Sequence, residues 1–557
     1  MSHNACSVKS SSQHTFALVP SVDIPRSSFR RNFTYKTTMN AGYLVPVFLD
    51  EVLPGDTFNL QLTSFSRILS ALQYPIMDNL YMDFQFYFVP IRLVYDKYEE
   101  FFGSSKGQSG KWEYDDSHLL PGITSPDDTG FTVHSLADYF GIPIGVTDLR
   151  VNALPFRAYN RIIADWYLPS SYELDPPEIK TDDTDDDPAD YPLVKRLKRA
   201  DYFTASLIAP QRGDGVELPL GGYAPVVGNG NGLMITDGTH TFNFGSTSAN
   251  GFGSSADSTA VPVGSSTTMN FSKLDANKVL GVSDDADLSG LRADLSAATS
   301  ATINSLRQAF QLQRALERDM RGGVRYVEQL LSHFGVRSPD ARLQRSEYLG
   351  GGSVPIQVHT VAQTSASEVG SAKASLSAYG VTAQNHVGFV KSFVEHGYVI
   401  GLASVRADLT YQQGLPRLFD RWARFDFYYP VFAFLGEQII KNKEVFAQGS
   451  SVVDDSGKVI DEQVFGYQER YAEYRYSVSK ITGELRSTYS APLDAWHLAQ
   501  KFNNLPVLNR EFLEENVPMS RVKAVQSGPD FLYDSLVALN CVRPMPLFGV
   551  PGLVDHF

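Results

Sequence analysis

Residues 80–90 read LYMDFQFYFVP. Side chains along an extended strand alternate between two faces, so Leu80, Met82, Phe84, Phe86 and Phe88 share one face. Tyr81, Asp83, Gln85, Tyr87 and Val89 share the other. A face of three phenylalanines, a methionine and a leucine needs a covering layer, and the economical cover is a second sheet. Pro90 has no N–H to donate and closes the ladder. This stretch predicts a two-sheet β-sandwich, elaborated by long insertions.

Upstream, residues 1–40 are polar and basic with scattered aromatics, and read as an arm. Tyr43–Asp50 (YLVPVFLD) reads as an edge strand because Pro46 interrupts it. Pro54-Gly55-Asp56 marks a turn, after which Phe58, Leu60 and Leu62 alternate as a strand. Residues 41–170 thus form a first block of strands with a helical insertion. Residues 92–102 fit a short helix and 103–132 a loop. Tyr159, Ile162, Ile163 and Trp166 predict a helix over 154–168, with Pro155 in its first turn.

Residues 171–300 read as a long surface insertion. Its first part is acidic: residues 173–190 hold nine acids and one lysine. This predicts a solvated loop, neutralised by the Lys195, Arg196, Lys198 and Arg199 cluster that follows. Asp182–Asp187 offers carboxylates to a hard cation but lacks a glycine turn. Residues 224–300 lack Tyr and Trp and are rich in Gly, Ser, Thr and Asn; such a segment suits a surface excursion that can be removed (about 228–298) without loss of the fold. Residues 301–350 are helical. Ile303, Leu306, Phe310, Leu316 and Met320 make one stripe up to Gly322-Gly323, and Gly335 stops the second helix. Strand character returns over 351–540, including PIQVHTVAQT, YVIGLASVRADLTY, RFDFYYPVFAFL and FGYQERYAEYRYSV. The tail 541–557 carries three prolines and reads as extended.

The chain has 557 residues, a formal net charge of −14, and 43% hydrophobic and 12% aromatic residues. That excludes wholesale disorder. Two cysteines, Cys6 and Cys541, make neither a disulfide framework nor a zinc site, and point to a reducing compartment. No apolar run approaches the roughly 18–20 residues of a membrane span. No nucleotide, zinc-protease, serine-hydrolase or calcium-loop motif is present. Gly251-x-Gly253-x-x-Ala256 mimics a dinucleotide fingerprint without the strand and helix it needs. No residue is assigned as catalytic, cofactor-binding or metal-ligating, and His396 beside Glu395 reads as a packed residue. RSSFRRNFTYK (26–36) interleaves Arg26, Arg30, Arg31 and Lys36 with Phe29, Phe33 and Tyr35. Guanidinium groups pair with phosphates and aromatic rings stack on bases, so Arg26, Phe29, Arg30, Arg31 and Lys36 are candidate DNA contacts. Packing of this arm on a neighbouring subunit is an equal reading.

Seven blocks together resemble one family: IPRSSF (24–29), DEVLPGDTF (50–58), PIMDNLYMDFQFYFVPIRLV (75–94), RSEYLGG (345–351), LGEQ (435–438), FGYQERYAEYR (465–475) and PGLVDHF (551–557). The chain resembles the major capsid proteins of gokushoviruses, tailless bacteriophages of the Microviridae with circular single-stranded DNA. The resemblance implies an eight-stranded antiparallel jelly roll and a T=1 icosahedral shell in the virion, assembled in the host bacterial cytoplasm. It implies a protrusion that meets a host receptor, for which 224–300 is the candidate, with Asn229, Asn231, Asp237, His240, Asn250 and Phe252 as contacts. It also implies a small basic DNA-binding protein, a pilot protein and an internal scaffolding protein of the same virus as partners. Two other classes fit the composition: a carbohydrate-binding or carbohydrate-cleaving β-sandwich, and a soluble nucleic-acid-binding protein.

Overall fold

A computed structural model describes residues 25–102, 105–106, 112–113, 120–172, 174–216, 303–362, 364 and 375–548, with short strands at 226–228, 234–236, 241–243, 281–282 and 291–293. The chain forms two compact units. One comprises residues 1–210 and 319–557, the other residues 211–318.

The larger unit holds one continuous, curled antiparallel sheet of nine strands. These are β1 (Ser27–Arg30), β2 (Phe33–Met39), β3 (Val45–Val52), β4 (Thr57–Ile68), β5 (Leu80–Pro90), β6 (Glu347–Ala362), β7 (Leu376–Ser392), β8 (Gly397–Ala407) and β9 (Phe531–Arg543). β1 and β2 both pair with β9, end to end, so they fill one strand position. The spatial order is then β1/β2–β9–β4–β7–β6–β5–β8–β3, eight positions in all. The sixteen-residue β6 belongs to both halves. Glu347–Ile356 pairs with β5, and Gln357–Ala362 pairs with β7. This is a jelly-roll β-sandwich.

The apolar face of 80–90 decides the packing. Leu80, Met82, Phe84, Phe86 and Phe88 are all buried. Across the sandwich, Phe84 meets Tyr533 of β9, and Phe86 and Phe88 meet Phe389 of β7 and Phe393 just beyond it. Each buried ring contributes roughly 1.5–3 kcal/mol. Phe58, Leu60 and Leu62 of β4 join the same core. β3 is the terminal strand, so Pro46 costs the sheet little, and the ladder slips beside it between Gly401 and Leu402.

The outer face of β5 is not wet along its whole length. Tyr87 and Val89 are buried together with Tyr398, Ile400 and Leu402 of β8 beneath helix α1 (Leu154–Ile162). Every residue of β8 is buried. The half β3–β8–β5 therefore has cover on both faces. The helix expected over 154–168 forms, and runs on as a π turn over Ile163–Tyr167. The helical stripe of 303–320 forms as α2 (Ile303–Gly322), followed by α3 (Tyr326–Phe334), which Gly335 ends at φ 68°. Only Met320 of that stripe is buried; Ile303 and Phe310 are exposed.

Three expectations are corrected. The segment expected as an arm is sheet from Ser27 to Met39. The acidic stretch is not simply solvated. Arg157, fully buried on α1, sends Nε and Nη2 to Asp186, each 2.8 Å away, and Nη1 to the Asp182 carbonyl. Lys97 pairs with Asp183, Arg150 with Asp185 and Lys180 with Asp190. The Lys195–Arg199 cluster points elsewhere: Arg196 pairs with Asp83 at 2.6 Å and Lys198 donates to Gln500 and to the Phe512 carbonyl. Finally, residues 424–435 form 3-10 turns at Arg424–Asp426 and Pro430–Phe432 instead of a strand.

In the smaller unit, Val226–Gly228 pairs with Leu291–Ala293, and Met234–Thr236 pairs with Thr241–Asn243 and Gly281–Val282.

Candidate assembly and genome-contact surfaces

The segment 415–435 mixes five charged residues, all before 427, with a run of apolar and aromatic residues over 427–435, and lacks both the two-residue and the 3.6-residue period. The run 427–435 has no charged residue to turn outward. Local capping decides the segment's shape. The Asp426 carboxylate accepts the Trp422 and Ala423 backbone N–H groups at 2.8 and 2.6 Å, bonds that hold its pKa below the usual range. Pro430 begins the next turn.

The base of the segment is pinned by charge. Arg417 donates to the Ile439 carbonyl at 2.7 Å and to Glu444 at 3.1 Å. Arg421 pairs with Glu473, while Lys441 and Lys443 both pair with Asp420. The Tyr428 ring meets Tyr471 edge-on at 4.9 Å. Beneath lies a cavity of about 350 Å3 lined by Tyr202, Tyr411, Arg417, Arg421, Glu444 and Glu473. Burial raises the Glu444 pKa, against the pull of Arg417. Both carboxylates already face an arginine, which leaves the pair nothing of the free acid and free base that glycoside cleavage needs.

The tips of the turns point away from this anchor. Trp422 is 86% exposed, Val431 82% and Phe434 97%, with Leu418, Phe419, Phe425 and Leu435 also exposed. At about 150–250 Å2 per large aromatic, these exposed side chains sum to on the order of 800 Å2. A typical monomer's largest apolar patch is about 300–600 Å2, and one side of a stable interface is about 800 Å2. Sequence reading takes 424–435 of this stretch for a strand. The usable signal is the run 427–435, which has no alternating charged residue.

The candidate DNA contacts fall into two groups. β pairing places Arg30 opposite Asn540 and Lys36 opposite Asp534, on the outer face of the sheet. Phe29 lies opposite the buried Cys541, on the inner face, and Tyr35 opposite the buried Ser535. The interleaving of bases and aromatics is the alternation of a two-sided strand. Arg26 donates to the Gly55 carbonyl and to Thr57; Arg31 pairs with Asp50 at 2.5 Å; Lys36 pairs with Asp534. Arg30 is exposed and has no ion pair among the described residues. Asn229, Asn231, Asp237, His240, Asn250 and Phe252 lie outside the described residues. Among the described residues no group of His, Cys, Asp and Glu is placed to hold a metal ion, and no helix is long and apolar enough to cross a membrane.

Comparison with known proteins gives the family. Residues 17–553 match the family model described as Capsid protein (F protein). The chain is 43% identical to "Capsid protein VP1" of Bdellovibrio phage phiMH2K over 98% of both chains. It is 41% identical to "Capsid protein VP1" of Chlamydia phage 1, over 97% of this chain and 98% of that one. It is 36% identical to "Capsid protein VP1" of Spiroplasma virus 4 over 97% of both. A jelly-roll body and relatives matched end to end agree: the chain belongs to the capsid protein (F protein) family of the Microviridae, and is a structural protein of the virion, not an enzyme.

Proposed function

We propose that this capsid protein tiles a T=1 icosahedral shell around a circular single-stranded DNA genome, and that copies meet through the turns at 415–435. The observation that carries this is the apolar surface around Trp422 and Phe434, too large for a solitary soluble protein. A closed shell needs persistent contacts between identical copies, and such interfaces are rich in aromatics at their centres. Outward-facing Arg30 and Lys36 are the DNA-contact candidates that the sheet presents to solvent. The unit 211–318 is the host-attachment element in this reading; its separate compactness supports it. A small basic DNA-binding protein, a pilot protein and an internal scaffolding protein complete assembly in the host bacterial cytoplasm.

Electron microscopy and sedimentation of the purified chain test the proposal. Particles of one size are expected. A monomer at every concentration and salt would overturn it.

A further inference from the structure

The two halves of the sandwich differ in one respect. The outer face of β3–β8–β5 is covered by α1 and its neighbours, whereas the outer face of β1/β2–β9–β4–β7 meets other described side chains at its rims, His134 on Thr38 and Arg26 on Thr57, and leaves Arg30, Gln61, Phe65, Arg67, Tyr379 and Val390 exposed. Register fixes what that second face displays. One row across it is Leu532–Arg67–Val381–Gln357; another holds Asp534, Phe65 and Ala383; a third holds Arg30, Asn540, Asn59 and Val390. Gln61 lies between Ala538 and Gly388.

Its chemistry is unusual for this chain. The protein has 62 acids against 48 lysines and arginines. This face has one acid among its described residues, Asp534, and Lys36 neutralises it at 2.5 Å. Arg30 and Arg67 stand exposed without ion pairs among the described residues. Phe65 and Tyr379 are each about half exposed, 49% and 48%, and the His359 ring lies 5.3 Å from that of Tyr379. Around them are amides able to donate and accept: Asn59, Gln61, Asn540 and Gln357.

Resting on the capsid reading, we infer that this sheet face is a bed for the unpaired nucleotides of the packaged genome. Outward rings on a sheet offer flat faces to bases, and single-stranded binding combines such stacking with a positive track for the backbone. A duplex hides its base faces, and this sheet face presents no described helix to enter a groove. A second copy of the chain is the poorer occupant. The face is studded with amides and unpaired guanidinium groups, which a protein interface would have to desolvate. The exposed large apolar side chains suited to copies lie at 415–435.

The test uses the full-length protein with fluorescent oligothymidylate and a duplex of equal length, at fixed salt. Phe65→Ser with Tyr379→Ser is expected to weaken single-strand binding about tenfold or more, the effect of losing two stacking platforms. Should that pair unfold, Gln61→Glu with Thr63→Glu adds charge at outward positions without removing packing, and should weaken binding similarly. Sedimentation of each variant reports particle formation independently. Particles with unchanged oligothymidylate affinity would overturn this inference and leave the capsid reading standing. Equal wild-type affinity for duplex and single strand would also overturn it. Failure of the wild type to form particles would instead sink the capsid reading.

Discussion

Arg157 Nε lies 2.8 Å from Asp186 Oδ2, and both side chains are fully buried. The pair ties α1 to the acidic stretch, and the Tyr191 hydroxyl also donates to Asp186, at 2.5 Å. Removing one partner strands a charge in a dry site, which costs about 3–5 kcal/mol. Arg157→Ala should therefore lower the urea midpoint of the unassembled subunit severely. Arg157→Met with Asp186→Leu removes both charges and should recover much of that loss. Equal losses in the single and double variants would show that the pair is not the organising contact.

Lys198 lies under Gln500 and the Phe512 carbonyl, its ammonium 4.7 Å from the centre of the Phe512 ring. Burial pulls its pKa down to about 8, against the opposing pull of Glu515 and Asp201. A lysine whose folded pKa lies below its unfolded value of 10.5 binds fewer protons folded than unfolded between those two pH values. Stability from this group therefore rises with pH from about 8 towards 10.5, and is flat below 8. Over pH 7 to 10, wild type should gain roughly 2–3 kcal/mol relative to Lys198→Met. Urea midpoints at pH 7, 8, 9 and 10 measure this; a constant difference across the series would refute it.

Gly388 sits on β7 where a Cβ would lie 1.8 Å from the Leu60 carbonyl oxygen. That oxygen belongs to a central strand and cannot retreat without breaking the ladder that continues at Phe389. Gly388→Ala should cost about 1–3 kcal/mol, the range for overpacking, seen as a lower melting temperature. An unchanged melting temperature would mean that the ladder has slack there.

What the sequence discloses depends on how far away the deciding partner lies. The strand 80–90 was legible because its own alternation names its buried face. Pro46 declared an edge, and 154–168 declared a helix, from residues within a turn or two. The acidic stretch misled because its countercharge is Arg157, 29 residues upstream on another element. The basic cluster misled likewise: Arg196 is held by Asp83 across 113 residues. The segment 26–36 carries a strand's alternation in plain view, but its partner strand is about 500 residues away, as the Lys36–Asp534 pair shows. The assembly surface was the least legible. Exposed aromatics on turns follow no period, and composition alone assigns them to a core.

The smaller unit offers a clean deletion. Gly228 faces Leu291 across an antiparallel ladder, so the ends of 229–290 are already adjacent. Replacing that stretch by a short glycine-rich turn should leave particle assembly intact and lower attachment to host cells, if 211–318 is the attachment element. Normal attachment by such particles would remove that role from the unit; loss of the soluble subunit would show that the segment serves folding.

The turns at 415–435 give the sharpest test of assembly. Trp422 and Phe434 are almost wholly exposed, so replacing them removes no packing from the subunit. Truncating a central interface aromatic typically costs about 2–4 kcal/mol per contact, and a closed shell repeats each contact at every copy. Trp422→Ser with Phe434→Ser should keep the subunit's melting temperature within about 1 °C, a shift of a few tenths of a kcal/mol at most. It should also move the protein from particles to small species in sedimentation, and raise solubility. Particles forming at the wild-type concentration would place the copy-to-copy contact on another surface.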